Sequence, residues 1–185
     1  AISAFEGLAV LPDYDVVVID EAHELQDRVT GAVTGQLSGT VISAAVTAAR
    51  KHTTASVEEL AAAGRAFDAS VEGLPAGLMP SGLNEEQQLA VSRVREAARV
   101  ALSDSKPEGG DAGDGGRQMA RSRLLAVLEL CERLLEAPDS GEVLWSSRPS
   151  TFSPGEGYSP PDDSAPATLN VAPISVAGRL RDGLF

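Results

Sequence analysis

Four consecutive β-branched residues, Val16 to Ile19, run directly into the acidic pair Asp20-Glu21. A continuous apolar run of this kind predicts a strand that is buried on both faces, which is typical of the parallel sheet of an α/β domain. Of all the features in the chain, this run restricts the fold most. It requires a sheet that is covered on both sides and places two carboxylates at the carboxyl end of one strand.

The middle of the chain predicts four helices separated by breaks rich in glycine and proline. Their predicted spans are 40–52, 56–72, 84–103 and 117–136. Ser56 with Glu59 predicts a capping box for the second helix, and Asn84 predicts the N-cap of the third. The fourth helix carries one apolar side, made of Leu124, Leu128, Cys131 and Leu135, which Leu130 and Leu134 widen. We therefore expect a helical bundle in which Cys131 is a buried apolar side chain.

The last third of the sequence changes character. Residues 142–147 and 167–173 are strand-like, and the stretch between them, 148–166, is rich in proline, serine and glycine. This pattern predicts an antiparallel strand pair joined by a long loop. Residues 174–184 again have apolar side chains at helical spacing and predict a closing helix.

The charge of the chain bears on its partners. The formal net charge is −12 and the isoelectric point is near 4.5, whereas a protein that coats nucleic acid is usually basic. Basic side chains cluster on only two predicted helices, as Arg93, Arg95 and Arg99 and as Arg117, Arg121 and Arg123. These six arginines predict either a contact with single-stranded DNA or a solvent-exposed face of salt bridges, because glutamates are interleaved with them. We expect weak or no binding of nucleic acid by this chain alone.

Targeting and redox features are few. The sequence has no run of eighteen apolar residues, so no membrane contact is expected, and it starts without a signal peptide or an initiator methionine. We therefore expect a cytoplasmic protein and a piece of a longer chain. Cys131 is the only cysteine, which excludes an internal disulfide and an iron–sulfur cluster ligated from within this chain.

An apolar strand followed by Asp-Glu has the physical design of a Walker B motif. The first carboxylate, Asp20, can hold Mg²⁺ through water, because magnesium prefers oxygen ligands and keeps much of its hydration shell. The second, Glu21, can deprotonate the water that attacks a phosphoryl group. His23 can report the state of the phosphate to neighbouring motifs. The alternative is a solvated helix start, where acidic residues are favoured by the helix dipole alone.

The string DVVVIDEAHEL (15–25) resembles motif II of superfamily 2 helicases of the DEAH type. Compact members of that superfamily have a Ser/Thr-Ala-Thr motif soon after the acidic box, but this sequence contains none. Its predicted helical insertion and its closing segment, NVAPISVAGRLRDGLF (170–185), are instead similar to the XPD/DinG-like branch of DNA helicases. In that branch an arch domain is inserted between motif II and the Ser-Ala-Thr motif. The resemblance covers residues 5–37 and 168–185, and between them it depends on arrangement.

The resemblance implies a mainly α fold, in which a helical arch-like insertion with a small β hairpin is flanked by remnants of an α/β P-loop-type motor domain. The implied divisions are 1–39 for part of the motor domain with the DEAH box, 40–137 for the arch, 138–173 for the strand pair and its loop, and 174–185 for the return to the motor domain. It also implies that Asp20 faces the magnesium ion, that Glu21 is the general base, and that His23 is the coupling residue.

The whole protein implied by this resemblance is an ATP-dependent DNA helicase that uses ATP and Mg²⁺, acts on single-stranded or forked DNA in repair or replication, and moves 5′ to 3′. An iron–sulfur cluster in that protein would be ligated upstream of the box. The phosphate-binding GxxxxGK[ST] loop is absent from this sequence, so we expect the chain alone to be inactive. The alternatives are a non-catalytic helical interaction module and, less consistent with the spacing, a metal hydrolase using Asp20, Glu21 and His23.

Overall fold

The computed structural model of the chain describes residues 18, 20–105, 115–148, 151–153, 157–159 and 165–178. A 3₁₀ helix, Ala22–Glu24, leads into the first of five α-helices in this part of the chain. These helices are α1 (Leu25–Val33), α2 (Gly39–His52), α3 (Glu58–Ser70), α4 (Glu85–Asp104) and α5 (Gly115–Ser140). Six short strands accompany them: β1 (Gly35–Leu37), β2 (Gly77–Leu78), β3 (Glu142–Ser147), β4 (Thr151–Ser153), β5 (Gly157–Ser159) and β6 (Thr168–Pro173). The prediction of a mainly α fold with a small β part is confirmed.

Four strands form one antiparallel sheet in the order β1-β6-β3-β2. The predicted pairing of 142–147 with 167–173 is confirmed, with Leu144 opposite Val171 and Ser146 opposite Leu169. β1 pairs with the other edge of β6, so parts of the first and last segments are neighbours, as expected. The strands β1 and β2 were not predicted. Nor was the β4–β5 hairpin, which lies within the predicted loop 148–166.

The helices pack against one face of this sheet and against each other. Leu37, Leu144, Leu169 and Val171 belong to the same core as the buried side chains of α2 to α5. Alanine and valine are frequent in the core, which suits close helix packing. The described helices include none that is long and apolar enough to cross a lipid bilayer.

The predicted helix starts have mixed outcomes. Asn84 caps α4 as predicted: its side chain accepts from the Gln87 N–H, and the Gln87 side chain accepts from the Asn84 N–H. The capping box predicted at Ser56 is wrong, because α3 begins at Glu58 and no side chain caps it. Val57, at the N-cap position, is 2% exposed. Burial of this apolar side chain sets the path of the chain there, and Ser56 remains at the surface.

The buried stripe of α5 is displaced from its predicted centre. Leu124 and Cys131 are fully buried, as predicted, whereas Leu128 and Leu135 are only partly buried. Val127 and Leu134 occupy the core in their place. The stripe is therefore rotated slightly around the helix from the predicted set.

Two predicted elements lie largely outside the described residues. Of the predicted strand Val16–Ile19, only Val18 is described, and its side chain is 91% exposed. Of the predicted closing helix 174–184, the structure describes residues 174–178, with a helical turn at 177–178.

Candidate functional site

The acidic box lies at the start of the described chain, in a turn that leads into the 3₁₀ helix. Asp20, Glu21, Ala22 and His23 are all exposed. Glu21 has φ 51° and ψ 45°, which is the left-handed α region, and among the described residues it is the one non-glycine residue with a positive φ. A non-glycine residue in this region costs roughly 1–3 kcal/mol. Its backbone conformation is therefore a local strain at the centre of the predicted site.

Two short contacts hold the box together. The backbone N–H of Glu21 donates to Asp20 Oδ1 at 2.9 Å. His23 Nδ1 lies 3.1 Å from Glu21 Oε2, and the two side chains are 75% and 67% exposed. Because water screens such a pair strongly, the contact orients the side chains and adds little to stability. The structure therefore brings the three predicted residues together, by a turn rather than by a regular helix.

The contact between His23 and Glu21 was not predicted from the sequence. The sequence indicated a role for His23 toward a neighbouring motif, and regular helices do not bring residues i and i+2 face to face. The left-handed conformation of Glu21 is what permits it, and no sequence pattern signals that conformation at a glutamate.

The next helical turn fixes the beginning of α1. Arg28 Nε donates to Glu24 Oε2 at 3.0 Å, across four residues of the helix. Val29 is the first side chain of the described segment to enter the core, at 1% exposure. The box thus stands clear of the bundle and presents its carboxylates to the solvent.

The donor set agrees with magnesium held through water. Carboxylate oxygens are the ligands that Mg²⁺ prefers, and it is usually held by one or two of them together with water and substrate phosphates. Asp20 and Glu21 offer such oxygens side by side. Within the described ranges, no group of three or more His, Cys, Asp or Glu side chains could hold a metal ion. The two carboxylates therefore suit a metal that brings most of its own ligands.

The three arginines of α4 do not share one side of the helix. Arg93 borders a groove between α3 and α4. Arg95 is partly buried, and its positive charge acts on Cys131 in α5. Arg99 donates through Nε to Glu96 Oε2 at 3.0 Å, and this bond lowers the pKa of Glu96.

The arginines of α5 connect helices. Arg121 Nη1 donates to the Leu102 carbonyl oxygen at 3.0 Å and to Ser105 Oγ at 2.9 Å, so it binds the end of α4. Arg123 Nη1 donates to the Ala44 carbonyl oxygen of α2 at 3.4 Å. Arg117 is partly buried near the start of α5. The six predicted arginines are therefore distributed over several surfaces, and contact with DNA remains a prediction for them.

Cys131 behaves as the sequence predicted. It is fully buried, and burial raises the pKa of its thiol to about 12. A thiol with so high a pKa carries almost no thiolate at neutral pH, and the thiolate is the reactive form. Cys131 is a core side chain.

Comparison with known proteins places these features in a larger context. No family model matches the sequence. ATP-dependent helicase DinG from Mycobacterium tuberculosis and from Mycobacterium bovis is 29% identical to it over an alignment of 191 residues. The alignment takes in 100% of this chain and 27% of each relative, so the chain spans little more than a quarter of their length. Over its whole length, the chain is therefore similar to a segment of ATP-dependent helicase DinG, in agreement with the resemblance predicted from its sequence.

Proposed function

We propose that this chain is an internal segment of an ATP-dependent DNA helicase of the DinG type. In this proposal residues 20–23 are motif II, residues 40–137 form the arch domain, and the two ends belong to the motor domain. The observation that supports it most is the similarity to DinG across the full chain, which includes the DEAH string. The exposure of that string is compatible with a site completed by other parts of the protein.

Asp20 and Glu21 would divide the work at the phosphate. Mg²⁺, when bound with ATP, neutralises charge on the phosphates. Asp20 would hold the water shell of the ion, while its Oδ1 also accepts from the Glu21 N–H. Glu21 would accept a proton from the attacking water at its carboxylate. General-base assistance of this kind contributes roughly 10²–10⁴-fold in rate.

His23 would connect the phosphate site to the rest of the motor. Its ring has two distinct nitrogens, and Nδ1 is the one beside Glu21. We assign Nε2 to the neighbouring motif, so that a change at the phosphate is passed on to the DNA-moving parts. ATP hydrolysis and unwinding are coupled through this residue in the proposal.

DNA is the proposed partner of the whole protein, as a single strand or a fork, with movement 5′ to 3′ in repair or replication and a cytoplasmic location. The arch would contribute Arg93, Arg95, Arg99, Arg117, Arg121 and Arg123 to weak contacts with DNA. Several of these side chains also have partners within the bundle, so Arg93 at the α3–α4 groove is the strongest candidate among them. Any iron–sulfur cluster would be held outside this chain.

The test is the Glu21→Gln variant of the whole protein that contains this chain. Glutamine keeps the size and hydrogen bonding of glutamate but does not accept the proton, so ATP and DNA should still bind while DNA-stimulated hydrolysis falls roughly 10²–10⁴-fold. Unwinding should fail with it. Glu24→Gln is the matched control, because Glu24 is an equally local carboxylate that is paired with Arg28. It should hydrolyse ATP at the normal rate.

Two further variants separate the roles within the box. Asp20→Asn should also weaken nucleotide binding that depends on Mg²⁺, whereas His23→Ala should retain some ATPase activity and lose its coupling to unwinding. ATPase and strand-separation assays on the same preparations measure both. Normal turnover by Glu21→Gln would contradict the proposal and favour a helical interaction module with an incidental acidic start.

A further inference from the structure

We infer that His23 is a positioning residue for Glu21: its Nδ1–H holds the Glu21 carboxylate, and the left-handed conformation of Glu21 is what makes this contact possible. The inference rests on the proposed function and adds a second task to a histidine otherwise assigned to coupling.

The first step is geometric. Residues i and i+2 of a helix point to different sides and do not meet. Yet Glu21 Oε2 lies 3.1 Å from His23 Nδ1. The two meet because Glu21, with φ 51°, stands at the N-cap of the 3₁₀ helix in the left-handed region. Strain of this kind is concentrated at functional sites, where it is part of how a group is held ready.

The second step concerns the proton. An ionised carboxylate only accepts hydrogen bonds. At 3.1 Å, Nδ1 must therefore be the protonated nitrogen of the imidazole ring. In a neutral ring Nε2 is then an acceptor, and it is available in that form to a donor of a neighbouring motif. One tautomer thus serves both tasks, with Nδ1 directed to the base and Nε2 to the motif that senses it.

The third step concerns competitors for the carboxylate. Arg28 is the nearest arginine along the chain, and its guanidinium is bound to Glu24 at 3.0 Å through Nε. Asp20 is occupied differently, since its Oδ1 accepts from the Glu21 backbone. Among the described residues, His23 is the side chain whose contact restricts the Glu21 carboxylate. Because both side chains are largely exposed, replacing either should leave the fold intact.

The contact can be tested on this chain alone by nitrogen NMR of the histidine rings at about pH 9, well above the ordinary histidine pKa of about 6.5. In an exposed neutral imidazole the Nε2–H tautomer predominates. We expect a clear excess of the Nδ1–H tautomer for His23, and its loss in Glu21→Ala. His52, in the bundle, is the internal control and should not change. A predominant Nε2–H tautomer at His23 in the unchanged chain would overturn the inference.

The consequence for catalysis is tested in the whole protein with three substitutions. His23→Asn places an amide N–H where Nδ1–H stood, His23→Gln places one near Nε2, and His23→Ala removes both. We expect His23→Ala and His23→Gln to lower the kcat of ATP hydrolysis roughly 10- to 100-fold, which is the scale of a misplaced catalytic group, with KM for ATP unchanged. His23→Asn should restore hydrolysis but not unwinding.

The outcomes distinguish this inference from the proposed function. If Glu21→Gln abolishes hydrolysis while His23→Asn is as slow as His23→Ala, the helicase proposal stands and the positioning role is wrong. If Glu21→Gln hydrolyses ATP normally, the helicase proposal fails, and the NMR measurement still decides whether His23 holds Glu21.

Discussion

The carboxylate of Asp68, in α3, reaches across to the first residue of α2, where it accepts a hydrogen bond from the Gly39 backbone N–H. A Cβ atom on residue 39 would collide with both oxygens of this carboxylate, so glycine is required for the approach. Partial burial raises the pKa of Asp68, and the bond from Gly39 lowers it by a smaller amount. The ionised form is therefore disfavoured overall in the folded protein.

The Asp68→Asn substitution should stabilise the protein at neutral pH. Asparagine keeps an oxygen for the Gly39 N–H and carries no charge to desolvate. Because the folded pKa lies above the unfolded one, ionised Asp68 lowers stability in full above the folded pKa, and this cost disappears below the unfolded value of 3.8. We expect a higher Tm for Asp68→Asn at pH 7 and a shrinking difference as the pH falls toward 4, measured by thermal unfolding.

Glu129→Gln provides the control for this measurement. Glu129 is an exposed carboxylate on α5, so its substitution should change Tm little and by a similar amount across the same pH range. A lower Tm for Asp68→Asn at pH 7 would show that the charge of Asp68 at the start of α2 outweighs its desolvation.

At the residue scale, the sequence indicated which side chains form the box but not how they are arranged. The order of Asp20, Glu21 and His23 was sufficient to propose their chemistry. Their mutual contact depends on one backbone dihedral angle at Glu21, which composition and periodicity do not encode. The bond between Asp68 and Gly39 was missed for a related reason: it joins two helices, and both residues look ordinary within their own segments.

At the scale of single elements, α3 and α4 offer a direct comparison of two helix starts. Both were predicted to be capped, at Ser56 and Asn84, and only α4 has the reciprocal bonds of a capping box. Asn84 Oδ1 accepts from the Gln87 N–H at 2.9 Å, and the Asn84 N–H donates to Gln87 Oε1 at 3.1 Å. Gln87 itself is buried, so the bond satisfies a polar group inside the protein.

Asn84→Ala should therefore lower the free energy of unfolding by about 1 kcal/mol, the usual cost of losing an N-cap. Ser56→Ala removes a hydroxyl of similar size that caps nothing, and it should stay within about 0.5 kcal/mol of the unchanged protein. Urea denaturation of the two variants in parallel measures the difference. Equal losses would mean that Ser56 caps α3 in solution.

The length of each strand explains which ones could be predicted. β3 and β6 have six residues each, long enough for alternation and β-branched residues to be recognised. β1 and β2 have three and two residues, and they are strands only because partners distant in sequence lie beside them. The helices were easier to predict because their spacing and end signals are local. Their boundaries moved where burial overruled a cap, as at Val57.

At the scale of the whole molecule, charge and the missing phosphate loop determine what the chain can bind alone. The net charge is −12 and no GxxxxGK[ST] sequence occurs, so we expect no saturable ATP binding by calorimetry. DNA binding should be weak and should disappear as salt rises, because the contacts depend on few cations. The whole protein is the positive control. Micromolar ATP binding by this chain alone would contradict its assignment as a segment.

The central position of β6 has a consequence during synthesis. β6 pairs with β1 on one edge and β3 on the other, and Gln36 waits for Asn170 as its partner. At about 5–20 residues per second, a ribosome needs on the order of ten seconds to add the roughly 130 residues between them. The nascent helices can associate during that interval, while β1 remains without its neighbour. The last step of maturation is therefore insertion of one strand between two that already exist, and a ribosome that stalls before Thr168 would release a bundle with an open seam.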